Sequence, residues 1–240
     1  MTEAPAIDTR AETRTRIVEA AATLLREHGP AAVTTRRVAE TAGVQAPTIY
    51  RLLGDKDGLL EAVAEHVMAT FVSAKAAIVE AASAQNVDPL DDLHAGWQSQ
   101  IEFGLANPAL FRLLSDPSRI NASPAAASGR HVLESRVHRI AEAGRLRVSE
   151  QRAVGLIQAA GSGAIQTMLT TPPEQQDAAL ADAVYEAVLA QILTDAPAPA
   201  DSRRLAATVA FRAIVPSLDV LSEAEQNLML DWLDRVQRAL

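Results

Sequence analysis

Thr35 to Leu52 has the sequence TRRVAETAGVQAPTIYRL, and this stretch decides the fold of the N-terminal part of the chain. Apolar residues fall three and four positions apart on both sides of Gly43, which is the spacing of two short helices. A glycine in the turn tolerates a positive φ, and the small Ala39 allows two helices to cross closely. The pattern predicts a helix-turn-helix over residues 35–42 and 46–52. The residues expected to face its core are Val38, Ala42, Val44, Ile49 and Leu52.

Helical signals continue through the rest of the 240 residues. The chain has 48 alanines and only 3% aromatic residues, a composition that favours helices over strands. No segment alternates apolar and polar residues as a half-buried strand does. We therefore predict an all-α chain, with a small helical domain in residues 1–65 and a larger one in residues 66–240.

Side chains that can cap a helix mark where several helices begin. Such a residue directly precedes a proline at Asp88-Pro89, Asn107-Pro108, Ser123-Pro124 and Thr171-Pro172. Capping-box spacing adds starts at Thr9 with Glu12, Thr171 with Glu174 and Ser222 with Glu225. These signals predict, among others, a first helix over residues 9–28 and a helix over residues 174–194.

The composition excludes several classes of protein. Because the chain has no cysteine, it forms no disulfide, no thiolate metal site and no cysteine nucleophile. The net charge of −8 excludes a uniformly basic surface for nucleic acid, although a local basic face is compatible with it. Uninterrupted apolar runs are shorter than the ~18 residues that a membrane span needs, and the first residues are polar. We expect a cytoplasmic protein with no membrane partner.

The stretch from Arg16 to Leu60 resembles the DNA-binding domain of TetR-family transcription regulators. The residues that carry the resemblance are Ile17, Ala20, Ala21, Leu24, Gly29, Thr34, Thr35, Val38, Ala39, Ala42, Gly43, Val44, Pro47, Thr48, Ile49, Tyr50, Lys56, Leu59 and Leu60. The chain departs from the family pattern at Leu53, where an aromatic residue is more common, and at Gly54, where a polar one is usual. The resemblance implies a three-helix DNA-binding domain whose partner is double-stranded operator DNA.

The resemblance also assigns roles to individual residues of this domain. It implies that Thr35, Arg36, Tyr50 and Lys56 contact phosphates, which fixes position without selecting a sequence. Arg37 and Arg51 reach either a phosphate or a base edge. The side chains expected in the major groove are Gln45, Ala46, Pro47 and Thr48, of which Gln45 suits an adenine and the others suit thymine methyls.

The charge count of this stretch agrees with a local basic face. Between Thr34 and Lys56 there are four basic residues and two acidic ones, a balance of +2. The basic residues are Arg36, Arg37, Arg51 and Lys56, and the acidic ones are Glu40 and Asp55. Any single arginine can equally be an ordinary solvated side chain. Arg10, Arg14 and Arg16 either extend toward the minor groove or only solvate the first turn of a helix.

The larger domain is expected to form a homodimer, because a two-fold symmetric operator requires a two-fold symmetric protein. Residues 159–164 are small and allow another helix to approach closely. The next helix has an apolar stripe at Ala181, Val184, Tyr185, Val188 and Ile192. The resemblance implies that two such helices from each subunit pack together, while the alternative is that the stripe packs within one subunit.

The larger domain is also the expected binding site of a small-molecule effector. The candidate residues are aromatic or polar groups in its helices: His94, Trp97, Gln100, Phe103, Phe111, His131, Gln158 and Met168. The alternative is that the aromatic residues belong only to the core. Eight arginines and four acids lie between Arg112 and Arg152, which favours either an anionic effector or a solvated face. The sequence predicts no cofactor.

Enzyme motifs are incomplete in this chain. Ser162 lacks the flanking glycines of a hydrolase elbow, since Ala160 and Ala164 stand there. Gln166 stands where a third glycine would complete a dinucleotide-binding motif after Gly161 and Gly163. His131, Glu134 and His138 share a helix face, which indicates a salt-bridged surface or an incomplete metal site. We expect that the chain is not an enzyme and that it binds no metal.

The sequence therefore predicts a ligand-responsive, DNA-binding transcription regulator. Its simplest form is a homodimeric repressor that a small molecule releases from a palindromic operator. Two alternatives remain open at this stage. The protein either activates transcription, or it is a helical small-molecule binding protein without a regulatory role.

Overall fold

The computed structural model describes residues 6–115, 121–194 and 200–239, and these residues are predominantly helical. The helices are α1 (Ala6–His28), α2 (Thr35–Ala42), α3 (Ala46–Leu53), α4 (Lys56–Ala84), α5 (Pro89–Ala106), α6 (Pro108–Leu114), α7 (Pro124–Glu142), α8 (Glu150–Thr170), α9 (Leu180–Ile192), α10 (Ala200–Ile214) and α11 (Glu223–Ala239). Within the described ranges, extended pairing is limited to one antiparallel bridge between Leu146 and Leu193. The predicted all-α fold is confirmed.

Several helix starts follow the predicted caps. The Asp88 carboxylate accepts a hydrogen bond from the backbone N–H of Leu90 at 2.8 Å, and the Ser123 hydroxyl accepts one from Ala126 at 3.0 Å. At the start of α11, the Glu225 carboxylate accepts a hydrogen bond from the Ser222 backbone N–H at 2.8 Å. These side chains satisfy backbone N–H groups that have no partner inside the helix.

Two predicted starts are wrong. Thr9 lies inside α1, because the helix already includes Ala6. The helix predicted from residue 174 begins only at Leu180, because Pro173–Gln175 forms a short 3-10 turn instead. The Asp177 carboxylate accepts a hydrogen bond from the Ala179 backbone N–H at 2.9 Å and holds the chain just before α9.

The described residues form two compact units. The first contains the chain up to Ala74 together with Ala109–Gly129, and the second contains Lys75–Pro108 together with the chain from Arg130 onward. The helices α4 and α7 each contribute residues to both units. This grouping by contacts does not test the functional division into residues 1–65 and 66–240, which stays a prediction.

The core of the N-terminal helices is apolar. α1 packs against both α2 and α3. The fully or nearly buried residues of this cluster are Ile17, Val18, Ala20, Ala21, Leu24, Val33, Val38, Ala39, Ala42, Ile49, Leu59 and Val63. The partly buried Val44 and Leu52 pack against it, so all five predicted core residues of the helix-turn-helix contribute to the core, together with Ala39 at the crossing.

The second unit buries an ion pair within a mainly apolar core. The buried Asp92 of α5 accepts hydrogen bonds from Arg136 Nε at 3.1 Å and from Arg139 at 3.0 Å, and Arg136 is itself 4% exposed. The side chain of Arg136 passes directly over Gly96, where a Cβ atom would lie 2.6 Å from the guanidinium. A glycine at this position of α5 therefore makes room for the buried ion pair.

The apolar stripe of α9 packs inside this one chain. Ala181, Tyr185, Val188 and Ile192 are buried, and α9 makes extensive contact with α8. For these four residues, the alternative that the stripe packs within one subunit is therefore correct. Any contact of α8 and α9 with a second copy has to use their outward faces.

The helix α4 is long and apolar enough, by length and composition, to cross a membrane. Its Glu65, however, accepts hydrogen bonds from the Ser123 hydroxyl at 2.5 Å and from the Ala125 backbone N–H at 2.7 Å. A single helix of this composition is also common in the cores of globular proteins, so its composition alone does not indicate a membrane span.

Candidate nucleic-acid interface

The turn between α2 and α3 has the geometry of a helix-turn-helix. The Thr34 hydroxyl accepts a hydrogen bond from the Arg37 backbone N–H at 3.3 Å and caps α2. At the other end Gly43 has φ 65°, and the backbone N–H of Val44 donates to the Ala39 carbonyl at 3.0 Å. This left-handed conformation strains any residue with a side chain, so glycine suits the turn.

The helix α3 begins without using the side chain of its first flanking residue. Gln45 occupies the N-cap position, but its amide makes no capping hydrogen bond and the residue is exposed. Pro47 lies in the first turn, where the N–H that proline lacks would have no partner. The Gln45 amide is therefore available to a base edge.

The ten residues predicted to contact DNA lie on the outside of the N-terminal helices. Ile49 and Val38 are 1% and 0% exposed, while Tyr50 in the same helix as Ile49 is 56% exposed. The exposed residues of the set are Arg36, Arg37, Gln45, Pro47, Tyr50, Arg51 and Lys56, and the half-buried ones are Thr35, Ala46 and Thr48. All ten side chains therefore keep solvent-accessible surface that can contact a ligand.

The positive charge of this face is only partly neutralised. Arg36 Nε donates to Glu40 at 2.9 Å along the exposed side of α2. Such an exposed pair is worth only about 0.3–0.5 kcal/mol, so Arg36 can exchange Glu40 for a phosphate at low cost. Among the described residues, Arg37, Arg51 and Lys56 take part in no salt bridge.

The turn between α3 and α4 explains why Gly54 departs from the family pattern. Gly54 has φ 79° and ψ −116°, a conformation open essentially only to glycine. Four residues later, a Cβ atom at Gly58 would lie 2.1 Å from the Leu53 carbonyl oxygen. The Asp55 carboxylate accepts a hydrogen bond from the Gly58 backbone N–H at 2.9 Å and caps α4. Two glycines thus allow a tight turn directly before Lys56.

Arg10, Arg14 and Arg16 do not form an extended arm. They are exposed and lie within α1, which is helical from Ala6 onward. The solvated alternative is the better description of these arginines, although they belong to a continuous helix and not to its first turn.

The predicted effector residues fall in several places. His94 and Trp97 of α5 both contact the Tyr185 ring, with centroids 5.0 and 5.3 Å away, while Phe111 belongs to the first unit. Gln100 accepts a hydrogen bond from Lys75 at 3.2 Å, and burial together with the neighbouring Arg136 lowers the pKa of Lys75 to about 8. The remaining residues are half-buried or exposed: Phe103, His131, Gln158 and Met168.

A groove of about 670 Å³ opens between α4 and α7 in the second unit. His131 is the one predicted effector residue that lines it, and several glutamates surround it: Glu80, Glu134, Glu142 and Glu150. His138 also lines the groove and bonds Glu150 at 3.1 Å. That hydrogen bond, and then the charges of Glu150 and Glu142, raise the pKa of His138.

The arginines of the second unit are largely paired. Arg145 bonds Asp88 at 3.0 Å, Arg130 bonds Glu134 at 3.2 Å, and Arg136 and Arg139 share Asp92. Counting residues from 112 to 152 misses Asp88 and Asp92, because both precede that range in sequence. The local excess of positive charge is therefore weaker evidence for an anionic effector than the sequence count indicates.

Sequence reasoning did not assign Tyr185 to the candidate effector residues. The spacing of Tyr185 fits an apolar helix face, so the sequence predicts it as part of the apolar stripe of residues 181–192. A tyrosine in such a stripe has a hydroxyl that needs a partner, and that requirement is the signal that distinguishes it from the aliphatic residues beside it.

Residues 17–63 match the family described as bacterial regulatory proteins, tetR family. A curated relative, the nucleoid occlusion factor SlmA of Haemophilus influenzae strain PittGG, is 29% identical over 89 residues. The match covers 37% of this chain and 39% of the relative, so the chain spans about two fifths of the length of that relative.

Solved structures of tetR-family proteins share the fold over most of this chain. The FadR repressor of Thermus thermophilus, crystallised with lauroyl-CoA, has a TM-score of 0.60 at 21% identity and is matched over 78% of this chain and 98% of its own. RolR, crystallised with resorcinol, has a TM-score of 0.59 at 21% identity over 83% of this chain and 95% of its own. These similarities extend the shared fold beyond the N-terminal helices.

Proposed function

Because residues 17–63 belong to the tetR family of bacterial regulatory proteins, we propose that this chain is a DNA-binding transcription regulator that responds to a small molecule. The observation that carries the proposal is the exposed face of α2, of α3 with its N-cap residue, and of the first residue of α4. Ten side chains lie there with surface available, above a core that is entirely apolar. Such a face can approach a duplex without disturbing the fold.

The residues of this face divide into two groups by chemistry. Thr35, Arg36, Tyr50 and Lys56 contact phosphates, and Arg37 and Arg51 add a phosphate or a base edge. Gln45, Ala46, Pro47 and Thr48 enter the major groove at the start of α3. Only the second group distinguishes one sequence from another, since a phosphate contact is the same at every base pair.

A second copy of the chain packs against the outward faces of α8 and α9. Gly155 and Gly163 are exposed, and a Cβ atom at either would meet nothing within 4 Å. Ala159 of α8 and Ala187 of α9 are exposed as well. Small side chains on two adjacent helices allow another pair of helices to come close. The resulting homodimer holds two helix-turn-helix modules for the two halves of a palindromic operator.

The effector binds in the helical body and acts as a release signal. RolR and the Thermus FadR were solved with resorcinol and lauroyl-CoA, which supports a small-molecule role for the equivalent helices here. The effector binds better to the form whose α3 helices do not match successive major grooves, so it lowers DNA affinity by that difference alone. Repression is the simplest outcome, with the protein acting in the cytoplasm.

Mutation of the basic face tests the proposal against its alternatives. We expect the double variant Arg36→Ala, Arg37→Ala to lose affinity for DNA that the wild-type protein selects. The slope of the logarithm of the binding constant against the logarithm of the salt concentration should become shallower by about one unit for each phosphate contact removed. Arg152→Ala is the control, because Arg152 is an exposed arginine in the second unit. Equal loss in both variants contradicts the proposed face. A wild-type protein that selects no DNA favours the non-regulatory binding protein.

A further inference from the structure

Three buried side-chain hydrogen-bond donors in the second unit have no partner among the described residues. One is the Gln237 amide, on α11, and the other two are the indole Nε1 of Trp97, on α5, and the hydroxyl of Tyr185, on α9. The two residues are only 4% and 6% exposed, and their rings lie 5.3 Å apart at an angle of 40°. Solvent at the surface therefore cannot serve either group.

Such groups are costly to a folded protein. Leaving a buried donor without an acceptor costs about 1–3 kcal/mol, and native proteins contain few of them. Two on neighbouring aromatic rings indicate a missing acceptor, which is either an ordered water or part of a bound molecule.

The surroundings of the pair favour an aromatic or similarly flat molecule. His94 stacks on Tyr185 with centroids 5.0 Å apart and an angle of 25°, and it is only half-buried. Gly161 of α8 lets the helix backbone pack close to the six-membered ring of Trp97, since a Cβ atom there would lie 3.3 Å from the indole. His94, Tyr185 and Trp97 thus form a chain of neighbouring rings that carries the two unpartnered donors.

The charges around Tyr185 disfavour an anion. Burial, and then the negative charges of Asp91 and Glu186, raise the pKa of the Tyr185 hydroxyl, which therefore stays protonated and able to donate. The same two carboxylates repel a carboxylate or phosphate group on a ligand. A neutral oxygen acceptor meets no such penalty.

We propose that Trp97 Nε1 and the Tyr185 hydroxyl are the polar end of the effector site, and that they bind the carbonyl or ether oxygen of a neutral, largely apolar molecule. The assignment rests on the proposed function only in calling this molecule the effector. The site itself can be tested without DNA.

Intrinsic fluorescence measures binding at this site directly. The chain has two tryptophans, and Trp232 is 54% exposed on α11, so Trp232→Phe leaves Trp97 as the single reporter. The probes are acetophenone, which has a neutral carbonyl, ethylbenzene, which has a similar shape without an acceptor, and benzoate, which is an anion. We expect acetophenone to shift or quench the Trp97 emission at the lowest concentration of the three.

Removing one donor distinguishes a ligand site from a structural role. We expect Tyr185→Phe, in the Trp232→Phe background, to weaken acetophenone binding about three- to tenfold and leave ethylbenzene binding unchanged. Its thermal midpoint without ligand should not fall, because the hydroxyl has no partner to lose. A lowered midpoint with unchanged acetophenone binding means that an ordered water is the partner, and it overturns the proposal.

Two further results also overturn it. One is equal affinity for all three probes, and the other is no response of Trp97 to acetophenone in a folded protein. Should Tyr185→Phe fail to fold, Gly161→Ala provides the second test, because its methyl group would lie 3.3 Å from the indole, displace the ring that carries the donor, and should weaken acetophenone binding. If the wild-type protein does not bind DNA, the fluorescence titration can still be interpreted. The failure of either proposal can therefore be recognised separately.

Discussion

The N-terminal module, which consists of α1, α2, α3 and the start of α4, has a different kind of core from the second unit. In the module, the buried cluster is apolar throughout, and polar side chains lie on the outer face of α2 and α3. The second unit buries Asp92 and Arg136 and, close to them along α5, the donor of Trp97. A buried ion pair and unpartnered buried donors therefore distinguish the second unit from the N-terminal helices.

Several glycines of the two regions are needed for different reasons, although Gly144 of the second unit shares a positive φ with the glycines of the N-terminal turns. Gly43 and Gly54 have positive φ and are required by the path of the backbone. Gly96, Gly104 and Gly161 lie in helices and are required by neighbouring side chains, which would contact any Cβ atom placed there. Substitutions in the two regions should therefore fail for different physical reasons.

The largest effect should come from breaking the buried ion pair of the second unit. Asp92→Ala leaves the guanidinium of Arg136 buried without its partner, which should lower the free energy of unfolding by about 3–5 kcal/mol. Chemical denaturation measures this change. Glu134→Ala is the matched control, since it removes an exposed partner of Arg130 and should cost less than about 1 kcal/mol. Similar losses in both variants would contradict the burial of the Asp92–Arg136 pair.

The same glycine-to-alanine change should have opposite signs in the two regions. Gly43→Ala should destabilise the module by about 1–2 kcal/mol, because alanine pays a conformational penalty at φ 65°. Gly155→Ala should stabilise the second unit of the monomeric chain by about 0.5–1 kcal/mol, because its methyl group meets nothing within 4 Å in one chain. In the proposed homodimer the same methyl group faces the second copy, so thermal unfolding of both variants is compared at concentrations at which the chain is monomeric. Two losses of equal size would show that the glycines of the second unit also have a backbone role.

The smallest effect should be a pH dependence near His138. Its pKa is raised, first by the hydrogen bond with Glu150, so the charged ring stabilises the fold fully below the ordinary pKa of 6.5. That contribution is lost as the pH rises through the higher pKa of the folded state. We expect the stability advantage of the wild type over His138→Gln to shrink, by less than about 1 kcal/mol, between about pH 6 and pH 8. Denaturation curves at both pH values measure it, and a growing advantage would contradict the assigned direction.

The sequence predicted the module better than the second unit because the module is specified locally. The bounds of α2 agree with prediction and α3 is one residue longer, since Thr34, Gly43 and Pro47 mark the helix ends within a few residues of each other. The chosen DNA contacts follow from the same local pattern, and they stay predictions. Gly54 is explained only by its φ and ψ angles, which cannot be derived from the spacing of residues in the sequence.

The second unit depends on contacts between residues far apart in sequence. Asp92 and Arg136 are separated by 44 residues, so a charge count over a window cannot pair them. The stripe of α9 predicted an apolar face, but periodicity does not tell whether α8 or a second copy covers it. The start of α9 was misplaced because a 3-10 turn at Pro173–Gln175 took the place of the predicted helical turn.

A footprint of the purified protein on the intergenic DNA beside its own gene, repeated over a salt series, shows whether α2 and α3 form a DNA-binding face. We expect protection of a roughly two-fold symmetric stretch, with an affinity that falls steeply as salt increases. Arg36→Ala with Arg37→Ala should reduce that protection, while Arg152→Ala should not. Protection that is equally strong in the double variant would contradict the assignment of α2 and α3 as the DNA-binding face.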